Sequence, residues 1–440
     1  MRYLIVGLCL IMATVSHGQI ATRYINVQSG AQYDDHLEDL YKHFHANPEL
    51  SFYEKETAKR LAEELRLAGC DEVTTDLGGH GVVGIMRNGE GKTIMVRADI
   101  DALPVVEETG LPYASTVTTT NEAGAEVGAM HACGHDVHMT SLVGTARLLG
   151  QTRNDWSGTV IFIGQPAEER AGGANAMLED GLYEKFPLPD YVVALHTSAS
   201  LPAGHIGYTS GYAMANVNMV NILVKGQGGH GAYPHTTKDP VVLAARIVLA
   251  LQTIVAREIS PLEPAVVTVG SIHGGTKGNI IGNEVKLELT LRSYADDVRA
   301  ALIEKIARIC KGEAIAAGLP EELWPVVDVL KEETPSLYND PELTAKASEV
   351  FYNVFDDFRI HELPPVMGGE DFARYGRTEH DIPVFLFWLG AVPHANWEKF
   401  EAGEMELPSL HSSKFAPEPK PTVTTGVRAM TSLVNRLLAE

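Results

Sequence analysis

The chain has 440 residues, 45% of them hydrophobic, which is long enough for two domains with sizeable cores. Its 57 acidic against 35 basic residues leave a formal net charge of -22. That balance excludes nucleic acid and an anionic membrane surface as partners, because no basic stripe is available to meet phosphates; solubility is the simplest use of the excess acid.

Met1-Arg2 is a short positive start, Leu4 to Val15 is an almost unbroken apolar run, and Ser16-His17-Gly18 offers small residues for cleavage. Residues 1–18 are therefore expected to be a cleaved signal peptide, too short to span a bilayer, and the mature protein is expected to be exported, secreted or periplasmic. No later stretch is read as approaching the ~20 apolar residues of a membrane span. Cys9 falls in the signal, leaving Cys70, Cys133 and Cys310. An odd number in an oxidising compartment requires at least one thiol to stay unpaired or hold a metal. Cys133 is the candidate, and Cys70 and Cys310 read as buried thiols at helix ends.

Asp34 to Tyr53 begins as a helix, and Glu56 to Ala68 predicts a second, with Leu61, Leu65 and Leu67 on one side. Val82–Met86, Thr93–Ala98, Thr159–Ile163 and Tyr191–Leu195 read as buried strands, alternating with helices over Val137–Leu149 and Gly173–Leu182. Near-continuous apolar strands alternating with helices indicate an α/β domain with a mostly parallel core. After Gly211 the pattern changes. A half-exposed strand over Val217–Val224 precedes a long helix over Asp239–Glu258, strands over Ala265–Ile272 and Glu284–Tyr294, a helix over Asp296–Ala317 and a strand over Trp324–Val329. The order β-α-β-β-α-β predicts an inserted α+β ferredoxin-like unit of about 110 residues. The α/β pattern returns with a strand over Pro383–Leu389 and a closing helix over Thr422–Leu438. The expected organisation is 19–212 and 329–440 for the α/β domain and 213–328 for the insert.

The chemistry gathers where strand-like runs end: Asp99 and Asp101, Glu168 and Glu169, His196, and His411 after a loop, with Ala132-Cys133-Gly134-His135-Asp136-Val137-His138 between them. Ligands of open α/β sheets bind beyond the carboxyl ends of the strands, so one shared site is expected. Sulfur, imidazole and carboxylate are the donors a hydrolytic metal centre uses. A structural histidine, a solvated pair of glutamates and a carboxylate capping the turn before Pro104 are the plainer readings of each alone.

Taken together, these segments resemble the aminoacylase/carboxypeptidase family of dinuclear metallopeptidases, in its amidohydrolase branch of hippurate hydrolases, N-acyl-amino-acid amidohydrolases and indole-acetyl-amino-acid hydrolases. The resemblance runs from His43-x-x-x-x-Pro48-Glu49-Leu50-Ser51 through Ala98-Asp99-x-Asp101-Ala102-Leu103-Pro104, Met130-His131-Ala132-Cys133-Gly134-His135-Asp136, Gly229-His230-Gly231-Ala232-Tyr233-Pro234-His235 and Gly368-Gly369-Glu370-Asp371-Phe372 to Leu410-His411-Ser412.

What the resemblance implies is a pair of divalent ions, zinc or manganese with cobalt as a further choice, on Cys133, His135, Glu169, His196 and His411. Cys133 would bridge them, and Glu168 would be the general base and acid. Asp99 and Asp101 would orient a ligand imidazole, and His138 would be structural or play a similar supporting part. His230 would polarise the scissile carbonyl from the lid of a partner subunit, implying at least a homodimer. Asn279 and Arg292 would meet the substrate's carboxylate or the oxyanion. A turn-forming Asn and a surface Arg are their plain alternatives, and His235 is either a second lid contact or a packing residue. The implied reaction cleaves N-acyl-amino acids into a carboxylic acid and an amino acid. The rival readings are a dipeptidase or carboxypeptidase with the same machinery, a thiol amidase with Cys133 as nucleophile and His135 as base, and a non-catalytic binding protein.

Overall fold

The near-continuous apolar runs form the middle of an eight-stranded sheet. A computed structural model of the chain describes residues 24, 25 and 27–440, so the expected signal segment lies outside the described residues. The chain divides into two compact units. One comprises the chain to Gly211 with Asn339–Pro364 and Arg374–Glu440, the other Tyr212–Tyr338 with Pro365–Ala373.

In the first unit the strands lie in the order Glu72–Leu77, Gly81–Asn88, Gly158–Gln165, Thr93–Asp99, Tyr191–Pro202, Val384–Val392, Ile206–Tyr208 and Ile360–Glu362. The four inner strands from Gly158–Gln165 to Val384–Val392 are parallel to one another, whereas Gly81–Asn88 joins antiparallel on one side and Ile206–Tyr208 on the other. Every residue of Val384–Val392 is buried, as a strand covered on both faces requires. The helices His135–Gln151 and Pro419–Leu438 contribute Val137, Leu142, Val143, Val427, Leu433 and Leu437 to the main core.

The second unit is an antiparallel sheet in the order Ala265–Gly274, Glu284–Ser293, Asn216–Lys225, Val326–Thr334. Counted along the chain that is second, third, first, fourth, the ferredoxin-like arrangement, with helices Pro240–Thr253 and Asp296–Ala316 supplying Leu243, Ile247, Leu251, Leu302 and Ile306 to its core.

Several local expectations are corrected. Leu61 and Leu65 are fully buried in helix Lys55–Leu67, but Leu67 is 72% exposed, because two residues beyond Leu65 the helix has turned about 200°. The helix begun at Gly173 stops at Glu179, and Gly181, in the left-handed region at φ 87°, separates it from Leu182–Lys185. The last strand of the insert starts at Val326 rather than Trp324, since Pro325 has no N–H for a ladder. Among the described residues helical backbone is already present at Tyr24, before Asp34. One later stretch does reach spanning length: Pro240–Glu258 has 19 residues at a mean hydropathy of 1.6. Its Leu243, Ala244, Ile247 and Leu251 belong to the core of the second unit. Cys70, Cys133 and Cys310 are all free thiols, and Cys310 sits inside its helix rather than at an end.

Candidate metal centre

The register of the parallel strands aligns the donors. Asp99 lies opposite Gln165 on Gly158–Gln165, three residues before Glu168. Arg97 lies opposite Ala194, two residues before His196. The helix that carries His135 must start beside this edge, and Gly134 permits it. Its φ is 81°, and a Cβ there would come within 2.6 Å of Thr197 Oγ1. Thr197 Oγ1 donates to the Cys133 carbonyl (2.6 Å), pinning the thiol-bearing turn to the strand. His411 arrives from a loop in the left-handed region, φ 67°, its N–H donating to the Ala132 carbonyl at 2.9 Å.

Three histidines are fixed in the Nδ1–H tautomer by what their rings touch, and differ in what their Nε2 faces. His135 Nδ1 donates to the Asp101 carbonyl (2.8 Å), and His196 Nδ1 donates to the Thr197 carbonyl (2.8 Å). Both therefore leave Nε2 as the atom through which the neutral ring would ligate. His196 Nε2 lies 3.6 Å from Cys133 Sγ. His135 Nε2 lies 3.8 Å from Glu169 Oε1, which is 3.4 Å from His411 Nε2. By contrast His138 Nε2 accepts the Thr197 N–H (2.8 Å) and its Nδ1 donates to Asp99 Oδ1 (2.5 Å), so neither nitrogen is available to an ion.

The ligating atoms of Cys133, His135 and His196 all lie within 4.8 Å of one another, and so do those of Cys133, Glu169 and His411. Cys133 belongs to both triplets, which suits a bridging thiolate. Glu168, 9% exposed, forms a further such group with His135 and Glu169. His135 Nε2, Glu169 Oε1 and Asp101 Oδ1 are buried without a hydrogen-bond partner. Such orphaned acceptors and bare nitrogens fit a divalent cation.

Electrostatics point the same way. Burial, with Asp101 and Asp99 nearby, pushes the Glu169 carboxyl up to about 8, although His135 opposes it. Burial resists charge on His135, but Asp99, Asp101 and Glu169 outweigh it and raise the imidazole to about 10. Burial and the carboxylates of Glu169, Glu168 and Asp99 push the Cys133 thiol well above its ordinary range. A thiol so placed is a poor free nucleophile, whereas a bound cation would reverse the local field and deprotonate it.

Supporting carboxylates are arranged differently from expectation. Asp101 orients His135 chiefly through its carbonyl, while its Oδ2 accepts from Ser51 Oγ (2.6 Å) and the Glu169 N–H (3.0 Å). Asp99 holds His138 and accepts from Arg97 Nη1 (2.8 Å). Burial works against its charge, yet Arg97, His135 and His138 hold Asp99 well below the usual carboxylate range. Arg97 escaped the sequence reading, though a guanidinium inside the apolar run Val96-Arg97-Ala98 is a signal that could have found it. His45 was also missed. Fully buried, it bridges Asp136 (2.6 Å) and Glu107 (3.0 Å) behind the metal helix.

The remaining candidates lie in the second unit. His230 and Asn279 are exposed neighbours on a small ladder, in which the Gly231 N–H donates to the Asn279 carbonyl at 2.9 Å. His235 is exposed in the turn Pro234–Thr236. Arg292 stands apart from them on strand Glu284–Ser293, half-buried, its pKa lowered by that burial.

Comparison with known proteins adds the lineage. The pattern of Peptidase family M20/M25/M40 matches residues 95–410. N-acetylcysteine deacetylase of Bacillus subtilis (strain 168) is 36% identical over 370 residues, 82% of this chain and 90% of that one. Thermostable carboxypeptidase 2 of Saccharolobus solfataricus is 36% identical over 410 residues, 92% of this chain and 95% of that one. A solved Bacillus subtilis structure, described as a dinuclear metal binding peptidase from the M20 family, superposes with a TM-score of 0.75 at 30% identity, covering 93% of this chain and 99% of that one.

Proposed function

The chain belongs to peptidase family M20/M25/M40 and is a metal-dependent amidohydrolase, and on that premise we propose that it cleaves N-acyl-L-amino acids, hippurate-like or N-acetylated, into a carboxylic acid and a free amino acid. Two divalent ions would be held by Cys133, His135, His196, Glu169 and His411, with Cys133 common to both; thiolate and imidazole favour zinc by softness, and manganese is the other choice. When bound, they would polarise the amide carbonyl and lower the pKa of water. Glu168 would take a proton from the attacking water and return it to the leaving amine. His230, supplied from the lid of a second subunit, would donate to the carbonyl oxygen as negative charge develops, and Asn279 and Arg292 would meet the substrate's free carboxylate or the oxyanion. The observation that supports the reading is the membership of Cys133 Sγ in two close donor triplets.

Glu168→Gln should keep its metal content and lose about 10²- to 10⁴-fold in kcat; full turnover would remove the base assignment. The 36% identity to a carboxypeptidase over 92% of the chain favours a second reading, peptide cleavage by the same machinery. A panel of hippurate, N-acetyl-amino acids and dipeptides, scored by released amino acid, separates the two. Export after cleavage near Gly18 and a homodimer formed through the second unit complete the proposal, tested by the N-terminal sequence and sedimentation mass of the mature protein.

A further inference from the structure

The segment Glu49-Leu50-Ser51-Phe52-Tyr53-Glu54 carries no donor to the metal centre, yet it is tied to the turn that carries Glu168 and Glu169. That turn is an awkward piece of backbone. The parallel ladder ends where the Ile100 N–H donates to the Gln165 carbonyl (2.9 Å). Glu168–Arg170 is then a single 3-10 turn bracketed by two alanines in the left-handed region, Ala167 at φ 49° and Ala171 at φ 53°. A residue with a Cβ in that region costs about 1–2 kcal/mol, so neighbours must hold it there. The Ala167 carbonyl accepts from the Gly172 and Gly173 N–H groups, both at 3.2 Å. The Ala167 N–H donates to Glu54 Oε1 (2.8 Å).

Glu54 is an unusual partner. It occupies the position before helix Lys55–Leu67 but makes no side-chain cap on that helix. Instead Oε1 accepts the N–H of Ala167 and that of Phe52 (2.9 Å), while Oε2 is buried with no hydrogen-bond partner. The residue is fully buried, and burial, with Asp101 nearby, pushes its carboxyl up to about 8. Two further contacts come from the same segment. Ser51 Oγ donates to the Asp101 oxygen that also receives the Glu169 N–H, and a Cβ added at Gly172 would lie 3.0 Å from the Phe52 ring. A carboxyl kept dry with one idle oxygen is poorly explained by stability alone.

We propose that Glu54 is a positioning residue for the reaction: by accepting the Ala167 N–H it holds the left-handed entry to the turn and so sets the aim of the Glu168 carboxylate beside Glu169. The role of Glu168 in this statement rests on the functional reading above. A side chain that must be aimed at a proton is sensitive to displacements of an ångström, worth about 10²-fold in rate. Binding of the substrate's remote groups is untouched.

The experiment compares Glu54→Ala and Glu54→Gln in the metal-loaded full chain, with steady-state kinetics, metal stoichiometry and amide hydrogen exchange over residues 165–173. Glu54→Ala should bind the same amount of metal, lose about 10- to 100-fold in kcat with little change in KM, and lose protection at the Ala167 amide. Glu54→Gln keeps an acceptor oxygen at Oε1 and should restore both the protection and most of kcat. Equal defects in the two variants, or a Glu54→Ala protein with unchanged kcat or a fully protected Ala167 amide, would overturn the proposal. The exchange readout does not depend on turnover. If Glu168→Gln were fully active while Glu54→Ala lost its Ala167 protection, the brace would stand and the assignment of the base would fall.

Discussion

Three buried histidines of the first unit and two exposed ones of the second are prepared in opposite ways. In the first unit His135, His138 and His196 are buried, and each has a ring nitrogen committed to a named carbonyl, carboxylate or amide. In the second, His230 and His235 are exposed, and His230 Nδ1 accepts only from the Ala232 N–H of its own turn (3.0 Å). Burial at the strand ends removes water as a partner, so tautomer and orientation are set before any ligand arrives. The exposed pair has no such constraint. A donor of that kind can act on a substrate without contributing to the stability of its own unit.

That contrast can be broken experimentally. The proposed role of His230 predicts that His230→Ala costs about 10²- to 10³-fold in kcat while thermal stability and metal content stay at wild-type values; a large fall in Tm would contradict its reading as an unconstrained surface donor. Asp99→Asn should act on both function and fold. It should weaken metal affinity or activity about 10- to 100-fold, measured by chelator competition. It should also lower stability, since Arg97 would be left buried without its carboxylate, a loss of about 3–5 kcal/mol when one partner of a buried pair is removed.

A third, smaller effect is a pH dependence of stability. Burial resists charge on His45, but its hydrogen bonds to the Asp136 and Glu107 carboxylates overcome it and raise the imidazole to about 10. A pKa raised by folding contributes stability that is complete below the unfolded value near 6.5 and lost as pH rises through about 10. Urea midpoints of the wild type should therefore fall across that window, and His45→Gln should flatten the slope. The smallest contrast lies on one helix. Leu61→Ala should cost about 2–5 kcal/mol as a core truncation, and Leu67→Ala, on the exposed face, should stay within about 0.5 kcal/mol, both read from denaturant unfolding.

Much of this was legible before the fold was known. The strands over Val82–Met86, Thr93–Ala98 and Pro383–Leu389 are buried on both faces, and a continuous apolar run is the signature of that environment. The ferredoxin-like insert was readable because each of its strands alternates or borders a long helix. Residues such as Cys133, His135 and Glu169 stood out because thiol, imidazole and carboxylate are scarce at the edges of apolar runs. Leu67 and Gly181 were misread because periodicity weighs a residue by type. One residue of drift, or one left-handed glycine, moves a side chain across the boundary between core and solvent.

The amino-acid sequence by itself determined which chemical groups the protein owns and the order of strands and helices that carries them. Both are local matters of residue type, spacing and apolar period. Only the tertiary structure decided which nitrogen of each histidine donates, that Asp101 orients His135 through its backbone, that Arg97 donates to Asp99, and that Glu54 reaches Ala167 across 113 positions. Those outcomes depend on strand register and on the removal of water from a closed space, which bring together groups that no short-range pattern along the chain connects.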